Sequence, residues 1–441
     1  MCAARGGRAA RDPCAGGHRP YPRGTIRGES PLPSEPDPMT SAPSSALPQN
    51  AALPALTPAT RLSLSLIAGG AVANIYYNQP LLAVLAQDLG AAASSLVPTA
   101  TLAGYGLGIL GLVPMGDRYP RRGLIVGQLL LLSGALVLAA LAPGLGTLAA
   151  ASFLIGVLST AAQQAVPFAA ELAPDASRGR MVGQVMTGLL LGILLARTLS
   201  GLVGAWFGWR AMFGAACGLS LALAALAALT LPATRAATRL PYGALMASVL
   251  DLARGQAPLR RAALSQALLF AAFNAFWTSL ALFVEGPPFR LDPAGAGLFG
   301  LIGAAGALCA PYAGRFADAK SPRPVVIGGA LLTLASFAVF GLLGGRSLAA
   351  MALGVLLIDI GINTALIANQ TRVYALAAGA RGRINTVFFT AVFIGGALGA
   401  SAGTRAFAAG GWPLLCLVGG AFAAAGVVVP LLEPRAGPRG A

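Results

Sequence analysis

Long apolar runs separated by short polar stretches dominate the chain from Leu62 to Leu432. Each run holds roughly 20 residues, enough for a helix to cross about 30 Å of hydrocarbon. A membrane β-barrel would alternate apolar and polar residues at every second position, which this sequence does not do. The pattern therefore predicts an all-α membrane protein with twelve transmembrane helices. The predicted spans are 61–86, 97–115, 123–142, 146–171, 181–204, 209–232, 262–284, 297–314, 324–344, 347–372, 384–408 and 411–433.

The first six spans and the last six have related sequences. When the chain is shifted by roughly 200 residues, Arg180 aligns with Arg383 and Trp209 aligns with Trp412. Internal repeats of this kind are typical of transporters whose binding site lies between the repeats. We therefore expect two pseudo-symmetric six-helix bundles.

The ends of the chain and the stretch between the bundles differ in composition from the spans. The predicted divisions are a disordered tail at 1–60, a first bundle at 61–232, a linker at 233–261, a second bundle at 262–433 and a C-terminal tail at 434–441. Residues 1–60 are rich in Pro, Arg, Ser and Ala and lack an apolar core, so they resemble neither a signal peptide nor a folded segment. Met39 is an alternative start that would leave only a short tail.

The chain carries a formal net charge of +16, although only 10% of its residues are charged and 56% are hydrophobic. Such an excess would suggest nucleic-acid binding in a soluble protein, but here the arginines gather in alternate loops such as 116–122, 177–180 and 380–383. By the positive-inside rule, this places both termini in the cytoplasm. We expect a bacterial cytoplasmic (inner) membrane location, with the lipid bilayer and not nucleic acid as partner.

Spans one, four, seven and ten hold most of the uncharged polar side chains. Because an amide that faces lipid has no partner, these groups should face a cavity or one another. Ordinary hydrogen bonding between helices explains them as well, and both interpretations remain open. The candidate cavity residues are Asn74, Tyr76, Tyr77, Asn78, Gln79, Gln163, Gln164, Asn274, Trp277, Asn363, Asn369 and Gln370.

Spans two, five, eight and eleven carry glycines at helical spacing. Small residues three or four positions apart let two helix backbones approach closely, and static packing would explain any single row. Because all four rows recur at every third span, we expect smooth surfaces where the two halves meet and slide. The rows are Gly104, Gly108 and Gly111; Gly188 and Gly192; Gly300, Gly303 and Gly306; and Gly395, Gly399 and Gly403.

The loop sequence "DRYPRR" resembles the signature between spans two and three of the major facilitator superfamily, Gly-x-x-x-Asp-Arg-x-Gly-Arg-Arg. Asp117, Arg118, Arg121 and Arg122 match, while positions 113 and 120 hold Val and Pro in place of glycine. The segments "NIYYNQPLL" and "DIGINTALIANQTRVY" resemble one bacterial branch of drug, sugar or nucleoside efflux proteins. The resemblance extends over about 61–433.

The resemblance implies alternating access, with spans one, four, seven and ten lining the cavity. It also implies that Asp117 lies near the start of span eleven and helps to hold one access state. In the second half, Gly314 and Asp318 repeat the loop pattern and would face span five. Glu171 is expected to pair with Arg118 or Arg121.

Arg180 and Arg383, which begin spans five and eleven, are grouped with these gating residues. The alternative for all of the loop arginines is a role in topology alone.

Arg197 places a permanent charge inside span five. Around it, Gly183, Gly192 and Gly201 resemble the glycine pattern of antiporters in the superfamily, with Arg197 where that pattern has proline. One interpretation is that the side chain extends to the membrane surface. The other is that it has a partner at the interface between the halves, or that it binds the solute.

Asp359 is the acidic residue placed deepest within a span, near the middle of span ten. A carboxylate at this depth could bind a proton on one side of the membrane and release it on the other. We therefore assign proton coupling to Asp359. The alternatives are an ion pair with an arginine and a capped polar cluster.

These features favour a transporter that moves a small organic solute, neutral or amphipathic, by proton-coupled efflux as a monomer. A proton-coupled importer, a uniporter and a non-transporting membrane sensor are the alternatives. An enzyme is disfavoured because the spans contain no His, no Lys, no HExxH pair and no GxSxG elbow. A passive channel would not need two matched halves. We expect no metal and no cofactor.

Overall fold

The computed structural model describes residues 57–174, 178–234, 241–307, 322–376 and 381–433, and these residues are almost entirely helical. The helices are α1 (Pro58–Ala73), α2 (Leu82–Leu89), α3 (Ala93–Leu112), α4 (Met115–Arg118), α5 (Arg121–Ala140), α6 (Leu145–Leu158), α7 (Ala161–Leu172), α8 (Arg178–Thr230), α9 (Tyr242–Gly255), α10 (Ala257–Val284), α11 (Pro293–Ala307), α12 (Pro322–Val339), α13 (Leu348–Tyr374) and α14 (Arg381–Leu431). A 3₁₀ turn (Gln79–Leu81) joins α1 to α2, and a π-helical turn (Phe340–Gly344) follows α12.

These helices follow the predicted spans in order. Within the described ranges, eight helices are long and apolar enough to cross a membrane, and α8 and α14 each contain two spans. Span one is divided between α1 and α2, and span four between α6 and α7, while span eight is described only as far as the end of α11. After α1 the amides of Asn74, Ile75 and Tyr76 donate to carbonyls three residues earlier, so the chain changes from α-helical to tighter turns before the 3₁₀ turn begins.

The corners inside α8 and α14 are built alike. Gly208 has φ 80° and Gly411 has φ 63°, left-handed values that favour glycine because it lacks a Cβ. A tryptophan follows each glycine: Trp209 Nε1 donates to Asp88 Oδ2 (2.8 Å), and Trp412 Nε1 donates to the Phe340 carbonyl (2.9 Å). The matching corners reflect the internal repeat.

In both halves an arginine binds carbonyl groups at the C-terminal end of the last helix. Arg122, at the start of span three, donates to the carbonyl oxygen of Ala228 near the end of span six. Arg323, at the start of span nine, donates to the carbonyls of Pro430 (2.9 Å) and Leu431 (3.0 Å) at the end of span twelve. Carbonyls at a helix C-terminus lack partners within the helix and attract cations, so each arginine stabilises a helix end.

Buried apolar residues form two large clusters. One lies mainly within 64–231 and also takes in Phe393, Ala397 and Ala400 from α14. The other lies within 269–427. Each half therefore has its own core, and α14 of the second half also packs on the core of the first.

Most glycines of the predicted rows pack against a helix of their own half. For these glycines, the expectation that they form a sliding surface between the halves is wrong. A Cβ on Gly192 would lie 2.1 Å from the carbonyl oxygen of Gly69 in α1, and one on Gly399 would lie 2.0 Å from that of Ala271 in α10. A Cβ on Gly108 would lie 2.5 Å from the carbonyl oxygen of Val157 in α6. These glycines allow close static packing between helices of the same half.

Several glycines of spans five and eight do lie where the halves meet. A Cβ on Gly201 (span five) would lie 2.4 Å from the carbonyl oxygen of Pro293, at the start of span eight. A Cβ on Gly300 would lie 3.0 Å from the Cβ of Arg197. Spans five and eight thus meet along a stretch that includes Arg197.

Candidate functional site

Arg197 is buried where the two halves meet, and its side chain does not reach the membrane surface. The residue is only 4% exposed. Its guanidinium carbon lies 4.1 Å from the ring centroid of Trp277 and 4.7 Å from that of Tyr76. Its Nε donates to Oε1 of Gln79 at 2.8 Å. The arginine, Tyr76 and Gln79 come from the first half and Trp277 from the second, and cation–π attraction contributes to this packing.

Asp359 in α13 lies beside the same tryptophan. It is 7% exposed. Its Oδ2 lies 3.0 Å, and Cζ2 of Trp277 lies 3.2 Å, from the point that a Cβ on Gly303 would occupy. The charges of Asp359 and Arg197 interact electrostatically across this junction.

We call Tyr76, Gln79, Arg197, Trp277 and Asp359 the central cluster. Arg197 Nη2, Trp277 Nε1 and Asp359 Oδ2 have no hydrogen-bond partner among the described residues. A buried polar group without a partner costs about 1–3 kcal/mol. The unused donors and acceptor therefore mark the cluster as a candidate binding site.

The central cluster is closed in this conformation. The free space beside Gln79, Arg197 and Trp277 is only about 10 Å³, at the lower limit of what one water molecule needs. Near the Arg197 end of the contact between the halves, Thr198 Oγ1 donates to the Gly297 carbonyl at 3.3 Å. Solute binding therefore requires a movement of the halves or of the cluster side chains.

The other predicted cavity residues of spans one and four form hydrogen bonds within their own helix or with a neighbouring helix. Asn74 Nδ2 donates to its own helix, to the carbonyls of Gly70 (2.9 Å) and Ala71 (3.2 Å). Asn78 Nδ2 donates to Thr101 Oγ1 in span two at 3.0 Å.

Two further residues of these spans also join helices of the first half. Gln163 Nε2 donates to the Tyr105 hydroxyl, also in span two, at 3.2 Å. The carbonyl of Tyr77 accepts from the hydroxyl of Ser200 in span five.

In the second half the amides are placed in a similar way. Asn274 Nδ2 donates to the Phe270 carbonyl (2.9 Å), and Asn363 Nδ2 donates to the carbonyl of Asp359 (2.8 Å). Asn274 Oδ1 is buried and has no partner among the described residues. Gln370 is half-buried.

We call the side of the molecule that carries Arg121 the basic side. Arg121 donates to Glu171 through Nε, to Gln164 through Nη1 and to Asp117 through Nη2, each at 3.1 Å. Gln164 therefore belongs to this cluster and not to the central one. The carboxylate of Asp117 is bound by an arginine of its own half, and its expected approach to the start of span eleven stays a prediction.

Besides Arg122, the remaining predicted gating residues within the described part of the chain are Arg118, Arg180 and Arg383. The guanidinium carbon of Arg118 lies 5.7 Å from the ring centroid of Tyr119. Arg180 is exposed, and Arg383 is half-buried. Gly314 and Asp318 lie outside the described residues.

Sequence reasoning missed a second polar cluster at the corresponding ends of spans seven, ten and twelve. Arg372 forms an ion pair with Glu433, and its Nη1 donates to Asn369 Oδ1 at 3.3 Å. Asn369 Nδ2 in turn donates to Oε1 of Gln266 at 3.1 Å. A signal was available, because Arg372 stands at the end of span ten much as Glu171 stands at the end of span four.

The comparisons with known proteins agree with this architecture. The profile of the Major Facilitator Superfamily matches residues 64–400. The chain is 41% identical over 378 residues to "Uncharacterized transporter YgaY" of Escherichia coli O157:H7, covering 85% of this chain and 95% of that one. It is 29% identical over 334 residues to a chloramphenicol resistance protein of Streptomyces lividans, covering 71% and 80%.

A solved structure shows the same fold. It is a bacterial homologue of the human lysosomal transporter Spinster, in an inward-facing and unoccupied conformation. The TM-score is 0.65 at 17% identity, with 84% of this chain and 94% of that chain covered. The prediction of an all-helical membrane protein with twelve helices is confirmed, while the orientation of its termini stays a prediction. The chain therefore belongs to the Major Facilitator Superfamily, as a multi-pass membrane transporter of a small solute and not an enzyme.

Proposed function

We propose that the protein exports a small organic solute in exchange for protons, with Asp359 as the group that binds the proton. The observation that carries this proposal is the junction of Arg197, Trp277 and Asp359 where the two halves meet. We further propose that it acts as a monomer in a bacterial cytoplasmic membrane.

Proton binding at Asp359 would change the forces between the halves. Arg197 belongs to the first half and Asp359 to the second, and their opposite charges attract each other across the junction. In a buried setting this attraction is much stronger than in water. A proton on Asp359 removes it, so protonation would alter the relative stability of the two access states.

The direction of transport is proposed from two observations. The glycine pattern around Arg197 resembles that of antiporters, and one of the relatives is a chloramphenicol resistance protein. The aromatic and amide side chains around the cluster suit an organic solute.

The cluster around Arg121 forms the gate of this cycle in our proposal. Arg121 binds Asp117 and Glu171, which come from different helices of the first half. We assign these residues, together with Arg118, Arg122, Arg180 and Arg383, to control of access from the basic side.

Proton exchange can be tested in inverted membrane vesicles energised to make the lumen acidic. The pH difference is followed with acridine orange while a solute library, including chloramphenicol, is added. We expect at least one solute to collapse the pH difference with the wild-type protein. Asp359→Asn should abolish this response because an amide cannot take up the proton.

The matched control is Asp251→Asn, the same chemical change at an exposed residue of α9. It should behave like the wild type. A response of Asp359→Asn equal to that of the wild type would rule out the coupling role. Solute movement with no proton movement in any variant would favour a uniporter.

A further inference from the structure

We propose that the transported solute is a zwitterion, with its carboxylate on Arg197 and Trp277 and its ammonium group on Asp359. This inference rests on the proposed function in one respect, that the central cluster is the transport site. It adds the chemical class of the solute.

The donors of the cluster are suited to a carboxylate. Nε of Arg197 is occupied by Gln79, but Nη2 of Arg197 and Nε1 of Trp277 have no partner among the described residues. Both residues are more than nine-tenths buried, and the guanidinium lies over the indole ring at 4.1 Å. A charged N–H beside a neutral one binds a carboxylate more strongly than a neutral oxygen.

The acceptors lie on the second half of the molecule. Oδ2 of Asp359 and Oδ1 of Asn274 are buried and have no partner among the described residues. An ammonium group has three donors and no acceptor, so it can donate to Oδ2 of Asp359. Asp359 also contributes the negative charge that an ammonium ion needs in a buried site.

Aromatic rings beside the cluster offer an apolar surface for an apolar or aromatic body, in the space that a movement of the halves or of the side chains must open. Phe273 lies 6.0 Å from the Arg197 guanidinium carbon and stacks on Phe270 at 5.6 Å. Phe393 contacts Phe270 at 5.1 Å and Tyr105 at 4.4 Å, so the rings continue across both halves.

Charge balance separates a zwitterion from a simple anion or cation. Arg197 and Asp359 have opposite charges, but their side chains form no direct ion pair with each other in the described part of the chain. A zwitterion can pair with both charges and bring no net charge into the site, whereas a simple ion would leave one of them uncompensated. A proton on Asp359 would remove the partner of the ammonium group, so solute and proton would compete, as exchange requires.

Three probes with the same phenylethyl body test the proposal. They are phenylalanine, 2-phenylethylamine, which lacks the carboxylate, and 3-phenylpropanoate, which lacks the ammonium group. Binding to the purified full-length protein in nanodiscs is measured by calorimetry near neutral pH. We expect phenylalanine to bind tenfold to a hundredfold more tightly than either of the other two.

Variants assign the two ends of the zwitterion. Arg197→Gln should remove the advantage of phenylalanine over 2-phenylethylamine, and Asp359→Asn should remove its advantage over 3-phenylpropanoate. Trp277→Phe removes a single donor and is the milder variant. It should weaken the binding of phenylalanine but not the binding of 2-phenylethylamine. Arg254→Gln, at an exposed arginine of α9, should change none of these affinities.

Absence of phenylalanine binding, or binding no tighter than that of either probe, would overturn the zwitterion assignment. An unchanged preference in Arg197→Gln would also overturn it. If another solute nevertheless drives proton exchange that depends on Asp359, the proposed function stands without this inference. If phenylalanine is preferred but no proton moves, the inference stands and the exchange mechanism fails.

Discussion

The sequence showed two charged residues within membrane spans, Arg197 and Asp359, but it did not show which residues they contact. The position of Arg197 within an apolar run predicted a costly guanidinium, and the same sequence allowed either a surface-directed or an interface side chain. The structure shows it buried against Tyr76 and Trp277. Tyr76 precedes it by more than one hundred residues along the chain, and such distant contacts depend on tertiary packing that no local pattern encodes.

Glu285, just beyond the end of α10, gives a pH-dependent prediction at the residue scale. Burial, and to a lesser degree the charge of Asp292, raises the pKa of Glu285 from 4.5 to about 8. The folded protein therefore keeps this proton at a pH where the unfolded chain has lost it. This contribution to stability is full below about pH 4.5 and is lost as the pH rises towards 8.

Thermal unfolding of the purified protein between about pH 5 and pH 9 measures this effect. Glu285→Gln, which mimics the protonated carboxyl, should flatten the decline in unfolding temperature between pH 5 and pH 8. Asp251→Asn is the control and should keep the wild-type slope. An identical slope in Glu285→Gln would show that this carboxyl is not responsible.

The helices themselves were largely predictable, because apolar length and helical spacing are local properties. Their partners were less so, as the glycine rows show. A row indicates that a backbone approaches closely but not which helix approaches, and here the partner of Gly399 is α10 of the same half. Helix breaks such as the one between α6 and α7 also escaped prediction, since hydropathy alone does not detect them.

Two glycine variants test the packing assignment at the element scale. Gly399→Ala places a methyl group 2.0 Å from the carbonyl oxygen of Ala271, so α10 and α14 must move apart. We expect a loss of about 1–3 kcal/mol in the free energy of unfolding. Gly127→Ala has nothing within 4 Å of the new methyl group and should be neutral or stabilising, because alanine favours helix.

Denaturant unfolding of both variants in the same detergent makes the comparison. Equal stability of Gly399→Ala and Gly127→Ala would show that α10 and α14 are not in close contact in the folded protein.

At the scale of the whole molecule, the repeat predicted more than the individual motifs did. It aligned Trp209 with Trp412, and the structure places these residues at matching corners directly after Gly208 and Gly411. The repeat did not predict how the two halves pack on each other. That packing brings residues of spans one, five and ten around Trp277 of span seven. The central cluster was predicted as separate residues and not as one site.

The central claim is that a proton on Asp359 drives solute movement through the junction between the halves. The most direct measurement compares two assays in proteoliposomes, using the solute identified in vesicles: solute counterflow without a pH difference, and accumulation driven by an acidic lumen. We predict that Asp359→Asn retains counterflow at solute concentrations raised to offset any weaker binding, because exchange of solute alone needs no proton. It should lose gradient-driven accumulation at the same concentrations. Accumulation by Asp359→Asn at the wild-type level would contradict the account.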